Sequence, residues 1–125
     1  MQTECTTHGH VMKRCKGCRQ YKPVNEFHLS LRGILGRVSK CKRCLADAHR
    51  LRRYGLTPEQ YDEMYAELEE KCPLCLRWHP ALAVDHDHDT GEVRGLLCVG
   101  CNRALGYLEN RTWRKRAIAY LRGEL

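Results

Sequence analysis

A chain of 125 residues has room for one ordinary domain or two very small ones, and the hydrophobic core of either is modest. Its 22 lysines and arginines outnumber its 15 aspartates and glutamates, and the net charge of +7 favours a polyanionic partner. The sequence holds no recognisable secretory segment and no apolar run near the roughly 18 residues of a membrane-spanning helix. We therefore expect a cytoplasmic protein with no membrane partner.

Eight of the nine cysteines form four C-x-x-C pairs, and these pairs make two frames with the same spacing, C-x2-C-x22-C-x2-C. Four thiolates suit a tetrahedral Zn²⁺ ion, and paired thiols in a reducing compartment are metal ligands more often than disulfides. We expect two structural Zn²⁺ ions, with free thiols or an iron–sulfur centre as the alternatives. The ligands are Cys15, Cys18, Cys41 and Cys44 in the first frame, and Cys72, Cys75, Cys98 and Cys101 in the second.

The segment before the first frame, residues 1–13, is predicted to be a loose N-terminus. The ninth cysteine, Cys5, lies in this segment near His8 and His10. It is interpreted as a spare thiol, because no partner cysteine remains for it.

Residues 14–56 form a basic module around the first frame. Residues 1–56 carry 13 lysines and arginines against three acidic residues. The run GRVSKCKRCLADAHRLRRYG continues through the second C-x-x-C pair of the frame, here called its second knuckle, into a predicted short helix. Such a run suits the phosphate backbone of DNA, whereas a solvated charged face is the alternative for each single cation. The candidate DNA contacts in this module are Arg37, Lys40, Lys42, Arg43, Arg50, Arg52 and Arg53.

A connecting helix is predicted over residues 57–71. Thr57 is its expected cap, Pro58 suits the first helical position, and Gln60 completes a capping box. Four residues at helical spacing are expected to face the core: Tyr61, Met64, Tyr65 and Leu68.

Residues 72–125 are predicted to form a β-hairpin followed by helices. The first strand is Leu82 to His88, the turn is Asp89 to Gly91, the second strand is Val93 to Leu97, and a helix follows Cys101. A last helix, capped by Thr112, is expected to pack inward or to pair with a second chain in a homodimer. Its apolar residues are Trp113, Ala117, Ile118, Tyr120 and Leu121. The chain is thus predicted to be a small α+β protein stabilised by zinc.

Hard and soft ligands lie side by side in the stretch VDHDHDTGEVRGLLCVGCN. A closed four-thiolate zinc site has no open coordination position, so Asp85, His86 and Asn102 need another purpose. A carboxylate and a carboxamide suit Mg²⁺ or Mn²⁺, and a neutral histidine beside such an ion can take a proton from a water that attacks phosphorus. Asp87 and Asp89 are interpreted as turn and surface residues. The set fits phosphodiester hydrolysis, provided that the strand ends, twists or bulges between Asp85 and His86, whose side chains otherwise point to opposite faces.

The stretch from Cys72 to Gly106, with CPLC, VDHDHDTGEVRGLLC and CNRALG, resembles the recombination endonuclease VII family of phage and bacterial HNH-type nucleases. These nucleases use a ββα-metal, treble-clef-like fold. The upstream segments CKGCRQYKPVNEFHLS, CKRC and YGLTPEQYDEM are similar to the N-terminal extension of many such proteins. The resemblance implies that Asp85 and Asn102 bind a catalytic Mg²⁺ or Mn²⁺ ion and that His86 is the general base. It also implies that His88 assists at the metal or at the phosphate.

The predicted function is a metal-dependent DNA endonuclease, phage-encoded and acting in the host cytoplasm. Leu105 stands where some family members have an acidic residue, and Arg94 is expected either to contact DNA or to brace Asp87. The resemblance implies branched DNA such as Holliday junctions as the substrate, and nicking of duplex DNA by a monomer is the other option. The alternatives from other classes are a non-catalytic DNA-binding protein with two zinc modules and a zinc-stabilised adaptor for protein interactions.

Overall fold

The computed structural model describes residues 5–7 and 10–125 of the chain. The chain divides into two compact units, residues 1–57 and 58–125, and each unit contains one of the two cysteine frames. Each described helix is too short or too polar to cross a membrane.

The first unit contains a three-stranded antiparallel sheet, two single-turn 3-10 helices and one α-helix. The strands are β1 (Cys5–Thr7), β2 (His10–Arg14) and β3 (Tyr21–Pro23), in the order β1-β2-β3. The 3-10 helices span Val24–Glu26 and Ile34–Gly36, and helix α1 spans Lys42–Tyr54. Helix α1 confirms the short helix predicted after the second knuckle.

Residues 10–13 lie in β2, where the sequence predicted a loose N-terminus. Met12 pairs with Pro23 and Lys13 with Lys22 of β3, so the backbone of this segment is held within a sheet. The residues of β2, HVMKR, do not alternate between polar and apolar, so the sequence pattern does not predict a strand there. The prediction for residues 1–4 and 8–9, which include His8, lies outside the described residues, as do the side chains of Cys5 and His10.

The core of the first unit is built from thiols and one aromatic ring. Cys15 and Phe27 are fully buried, Cys41 is 1% exposed, and Cys44 packs against them. This apolar core is small for a folded unit, and thiols make up most of it.

The second unit consists of three helices and one hairpin. In chain order these elements are α2 (Pro58–Glu67), β4 (Ala83–His86), β5 (Val93–Leu97), α3 (Val99–Glu109) and α4 (Arg111–Leu121). Strands β4 and β5 are antiparallel, and α3 follows the hairpin directly, so the local order is β-β-α.

The bounds of these elements match the predicted ones in part. Strand β5 has the predicted bounds, whereas β4 is shorter than predicted at both ends. Helix α2 ends before residue 71 because Glu69 and Glu70 adopt the left-handed region, with φ of 52° and 62°. Helix α3 begins at Val99, ahead of Cys101.

Tyr61 links α2 by hydrogen bonds to Leu82, the residue directly before β4. Its ring is 3% exposed, and its hydroxyl donates to Leu82 O at 2.8 Å and accepts from Leu82 N at 2.9 Å. The predicted inward face of α2 is confirmed, because Met64, Tyr65 and Leu68 are also partly buried. The other apolar residues buried in this unit are Leu82, Val84, Leu96, Leu97, Cys72 and Cys98.

Helix α4 has a different cap from the one predicted. Asn110, not Thr112, precedes its first turn, and the Asn110 side-chain oxygen accepts a hydrogen bond from Trp113 N at 3.0 Å. Asn110 is selected because α3 ends at Glu109, so one residue closes α3 and opens α4.

The apolar face of α4 is not buried as the sequence predicted. Ile118 is 44% exposed, Tyr120 70% and Leu121 83%. The Trp113 ring contacts the Tyr107 ring of α3, with centroids 5.1 Å apart, but one ring contact cannot cover a helix face. Pairing of α4 with a second chain stays a prediction.

Candidate functional site

The four cysteines of the first frame converge on one point. Their sulfur atoms all lie within 4.8 Å of one another, and the Cys15 and Cys44 sulfurs are 3.7 Å apart. The backbone N–H groups of Gly17 and Cys41 each donate to Cys15 Sγ at 3.2 Å. Such donors stabilise a thiolate, and four sulfurs at this separation match the donor set of a tetrahedral zinc site.

The second frame forms an equivalent cluster. The sulfurs of Cys72, Cys75, Cys98 and Cys101 lie within 4.8 Å of one another. Cys98 Sγ accepts a hydrogen bond from Cys101 N at 3.3 Å, and His79 Nε2 lies 3.7 Å from Cys75 Sγ. The prediction of two separate four-cysteine metal sites is confirmed.

The thiols within each cluster differ strongly in acidity. Burial, the largest single influence, raises the pKa of Cys15 and of Cys72, but hydrogen bonds from neighbouring backbone N–H groups outweigh it and bring both pKa values to about 6. Burial, followed by hydrogen bonds to the other thiols, raises the pKa of Cys44 to about 12, and the bond to Cys98, followed by burial, does the same for Cys101. Four thiols this close therefore share their negative charge only with the help of a cation.

The hairpin contains a β-bulge at the Asp85–His86 step. Asp85 is opposite Gly95 and His86 is opposite Val93, so Arg94 is an extra residue in β5. Because the extra residue lies in β5, the bulge bends β5 and brings Arg94 opposite the Asp85–His86 step, where β4 ends. The sequence required an irregularity at this step, and the structure has one.

Asp85 is held by an arginine on the neighbouring strand. The residue is 7% exposed, and both its oxygens accept hydrogen bonds from Arg94, from Nε and Nη2, at 2.9 Å each. Arg94 Nη2 also donates to Glu109 Oε1 at 2.8 Å. Hydrogen bonds to Asp85 and then to Glu109 raise the pKa of Arg94 further above its ordinary value. Arg94 therefore braces Asp85, whereas the sequence suggested Asp87 as the braced residue.

Asp87 has the turn role that the sequence indicated. Its Oδ1 accepts hydrogen bonds from Asp89 N at 2.8 Å and from Thr90 N at 2.9 Å. These two backbone donors hold the pKa of the Asp87 carboxyl below its ordinary value. The carboxylate is thereby committed to closing the hairpin turn.

The two candidate catalytic histidines are neighbours. The rings of His86 and His88 lie edge to face, with centroids 4.8 Å apart, and His86 is half-buried while His88 is exposed. Asn102 is half-buried in the first turn of α3, and its backbone N–H donates to Cys98 O at 2.9 Å. Among the described residues the groups of three or more closely spaced Cys, His, Asp or Glu ligands are the two cysteine clusters, so Asp85, His86 and His88 do not form a third.

A mostly apolar pocket of about 390 Å³ adjoins the braced carboxylate. Asp85 and Arg94 line it from the hairpin, Met64 from α2, Leu68 from the turn after α2, and Leu105 from α3. The position at which some family members have an acid is thus apolar here and borders the same pocket as Asp85.

The candidate DNA contacts of the first unit lie along α1 and just before it. Every residue of α1 is at least partly exposed, and Arg43 and Arg50 both pair with Asp47, at 2.8 Å and 2.7 Å. Lys40, Lys42, Arg52 and Arg53 are exposed, whereas Arg37 is half-buried.

The sequence model of the recombination endonuclease VII family matches residues 47–123, which is more than half of the chain. The chain belongs to the recombination endonuclease VII family. The matched segment includes the second cysteine frame, the hairpin and Asn102, and it begins after the first cysteine frame.

Two curated phage proteins are similar to this member of the family. The gene 59 protein of Mycobacterium phage L5 is 43% identical over 76 residues, which are 57% of this chain and 46% of the relative. The gene 59 protein of Mycobacterium phage D29 is 44% identical over 77 residues, which are 58% of this chain and 47% of the relative. The chain therefore spans about half the length of these relatives.

One solved structure is also similar, that of the β-β-α-Me type II restriction endonuclease Hpy99I. It is 23% identical, with a TM-score of 0.38, and the match covers 91% of this chain and 66% of that chain.

Glu109 is the residue of this site that sequence reasoning missed. It lies 15 positions after Arg94, at the end of α3, and it meets Arg94 because α3 packs back along the hairpin. A sequence pattern carries no signal for a contact that depends on the angle between a helix and a hairpin.

Proposed function

We propose that this endonuclease VII family member is a metal-dependent DNA endonuclease that hydrolyses phosphodiester bonds, with an HNH-type ββα-metal site. The observation that carries the proposal is the bulge between Asp85 and His86 in a family member whose β-β-α order surrounds them. β4 ends at His86, opposite the bulge, and this end of the strand supports a shared site for a carboxylate and an imidazole that a continuous regular strand would separate.

The residues present fit a hard divalent ion. Asp85 and Asn102 would hold one Mg²⁺ or Mn²⁺ ion, which supplies charge stabilisation at the phosphate and at the leaving oxygen. A carboxylate has about four lone-pair sites, so the two hydrogen bonds from Arg94 leave Asp85 able to accept a further partner. Arg94 fixes the direction in which the carboxylate faces.

His86 is the proposed general base. Its ring is half-buried and abuts His88, which restricts its orientation without removing it from solvent. In its neutral form it takes the proton of the attacking water, a contribution of roughly 10² to 10⁴ in rate. His88 is exposed and assists at the metal or at the phosphate.

The two cysteine clusters are the proposed sites of two structural Zn²⁺ ions. Each offers four sulfur ligands and has no position left for chemistry. In the second unit Cys98 and Cys101 flank the start of α3, so zinc at this cluster would fix the helix that carries Asn102.

DNA is the proposed partner, and the basic first unit supports it. Branched DNA and duplex DNA both remain as substrates, with dimeric resolution and monomeric nicking as the corresponding modes. Arg94 bonds two carboxylates, and Arg43 and Arg50 both pair with Asp47. The better candidates for phosphate contacts are therefore the exposed cations of α1 and its flank: Lys40, Lys42, Arg52 and Arg53. The phage origin of the relatives supports action in a host cytoplasm.

The test is cleavage of supercoiled plasmid by the zinc-loaded protein, with Mg²⁺ or Mn²⁺ and with a chelator control. His86→Ala should lose cleavage while it keeps two equivalents of zinc and its affinity for duplex DNA. His28→Ala is the matched control, because His28 is exposed in the first unit and should be dispensable.

The opposite result selects the other class of function. If wild type binds DNA and zinc but cleaves no plasmid in either metal, the chain is a non-catalytic double zinc module. If wild type cleaves and His86→Ala cleaves equally well, the nuclease stands and the base is another residue.

A further inference from the structure

A second candidate site lies in the first unit, where four cationic side chains line one pocket of about 440 Å³. Ser30 and Ser39 supply hydroxyl groups to the same pocket, and no acidic side chain lines it among the described residues. Its cations are Lys13, Lys16, Arg32 and Arg37. Three of these four fall outside the basic run on which the predicted DNA contacts depend.

Lys13 is buried, so it is not part of a solvated charged face. The residue is 2% exposed, and its ammonium lies 4.9 Å from the centroid of the Phe27 ring. A cation–π contact stabilises a buried ammonium by less than the cost of removing the charge from water. A buried lysine on a pocket wall therefore calls for an anion, and the described part of the pocket provides none.

Phe27 also fixes the second cation. Arg37 Nη1 donates to Phe27 O at 3.1 Å, so the ring of Phe27 holds Lys13 and its carbonyl holds Arg37. The remaining donors of the Arg37 guanidinium are available to an anion in the pocket. The backbone N–H of Lys16 donates to Ser39 O at 2.9 Å, so Lys16 is held beside another residue that lines the pocket.

Backbone hydrogen bonds and a close backbone contact hold the loop of residues 30–37, which lines the pocket. Backbone hydrogen bonds join Ser30 N to Gly36 O at 2.9 Å, Gly36 N to Gly33 O at 3.0 Å and Arg37 N to Ile34 O at 3.2 Å. A Cβ at Gly33 would lie 1.8 Å from Arg37 O, so only glycine permits this close crossing. The pocket is therefore preorganised, and an anion that enters it does not have to order the loop.

The two frames give an internal comparison. Arg37 and Arg94 occupy the same position in their frames, 22 residues after the first cysteine. Arg94 bonds two carboxylates of its own unit, Asp85 and Glu109. Arg37 instead faces a pocket of cations and hydroxyls, which suits an anion from outside the chain.

We propose that this pocket binds a phosphate group of the DNA backbone, at a point other than the scissile bond. The proposal rests on the proposed function for the identity of the polyanion. Ammonium, guanidinium and hydroxyl groups on the residues that line one pocket are the recognition chemistry of a phosphodiester oxyanion. In this proposal the first unit binds one backbone phosphate in a pocket, in addition to attracting the DNA through the positive charge of α1.

The experiment measures the dissociation constant of the full-length, zinc-loaded protein for a short duplex, without Mg²⁺, between roughly 50 and 200 mM salt. Lys16→Gln and Arg32→Gln should each weaken binding and lower the slope of log K against log salt, and the double variant should lower it by about one in total, because a single phosphate contact is lost. Arg14→Gln is the matched control, because Arg14 is exposed and follows Lys13 in β2, on the opposite face of the strand. Arg32→Lys should restore the slope.

Three further arms separate the explanations. Zinc content and melting temperature equal to wild type show that each variant is folded. Saturable binding of inorganic phosphate that Lys16→Gln abolishes, with an unchanged DNA slope, would assign the pocket to a free anion and overturn the proposal. Glu4→Gln, which removes an acid that lies outside the described residues, should leave the slope unchanged, and a steeper slope would overturn the proposal.

The outcomes are also separable from failure of the nuclease proposal. Equal slopes for wild type, Lys16→Gln and Arg32→Gln overturn the pocket even if plasmid is cleaved. Reduced slopes in a protein that cleaves nothing support the pocket and overturn the nuclease.

Discussion

Arg94 donates two hydrogen bonds to Asp85, from Nε to Oδ2 and from Nη2 to Oδ1, each at 2.9 Å. The two residues lie on adjacent antiparallel strands, and Arg94 is the extra residue of the bulge. The bulge therefore places a guanidinium against the carboxylate at the step where the strand pairing is irregular. A bidentate pair fixes a carboxylate more closely than a single bond.

Breaking this pair should destabilise the second unit. Because Asp85 is almost fully buried, Arg94→Gln leaves a carboxylate without its counter-ion, and we expect a loss of about 1 to 3 kcal/mol. The lower part of that range applies because the Arg94 side chain is 35% exposed and solvent screens the pair. Denaturant unfolding of Arg94→Gln, Asp85→Asn and the double variant should give a coupling energy of about 1 kcal/mol.

The control for that cycle is Arg43→Gln. Its pair with Asp47 is a helical i,i+4 contact with the Arg43 side chain 44% exposed, so the expected loss is below about 0.5 kcal/mol. A coupling energy near zero for the Asp85–Arg94 cycle would mean that the bidentate geometry contributes nothing to stability.

Substitution by alanine should weaken zinc binding at Gly17 but not at Gly100, although each glycine lies within a C-x-x-C pair. A Cβ at Gly17 would lie 2.8 Å from Cys44 Sγ, whereas a Cβ at Gly100 meets nothing within 4 Å. Gly17→Ala should therefore weaken zinc binding at the first cluster by roughly tenfold or more, since a clash of this kind costs about 1 to 3 kcal/mol. Competition with a chromophoric chelator measures the two sites.

Gly100→Ala serves as the comparison, because Gly100 also directly precedes the last cysteine of a C-x-x-C pair, the second pair of the second frame. Gly100 is the second residue of α3, and alanine there should leave zinc affinity unchanged and raise stability by about 0.5 kcal/mol. Equal zinc affinities for both alanine variants would contradict the assigned contact between Gly17 and the first cluster.

Tyr61→Phe should be unusually costly for the loss of one oxygen atom. The hydroxyl satisfies both the N–H and the C=O of Leu82, and all three groups are buried. Leaving the backbone pair without partners should cost about 1 to 3 kcal/mol, measured by thermal or denaturant unfolding. Tyr107→Phe, at a ring that is 56% exposed, should change stability little, and similar losses for both would refute the role of the Leu82 contact.

The cysteine clusters and β5 were predictable because their signals are local. A C-x-x-C turn brings two sulfurs together whatever lies around it, and Cys98 fixes where β5 must end. From the sequence we could infer that the strand must be irregular between Asp85 and His86. We could not predict that the irregularity is a bulge, or that the extra residue lies in β5. Glu109 was not predictable, since its contact with Arg94 depends on how α3 packs on the hairpin.

The apolar residues of α4 illustrate the limit of periodicity. Their spacing correctly indicates a helix with an apolar face, but it does not say whether the rest of the chain is long enough to cover that face. In the described structure Tyr120 and Leu121 stay largely exposed.

The cap of α4 distinguishes the sequence-based prediction from the structure in a single experiment. Both Asn110 and Thr112 are good capping residues, and a cap removed by alanine costs about 1 kcal/mol. In the structure the Asn110 side chain bonds Trp113 N, and Thr112 lies inside the first turn of α4. Asn110→Ala should therefore lower stability by about 1 kcal/mol, while Thr112→Ala should be neutral or slightly stabilising because alanine is the better helix former. The reverse order of the two unfolding free energies would move the start of α4 to residue 113 and separate it from the end of α3.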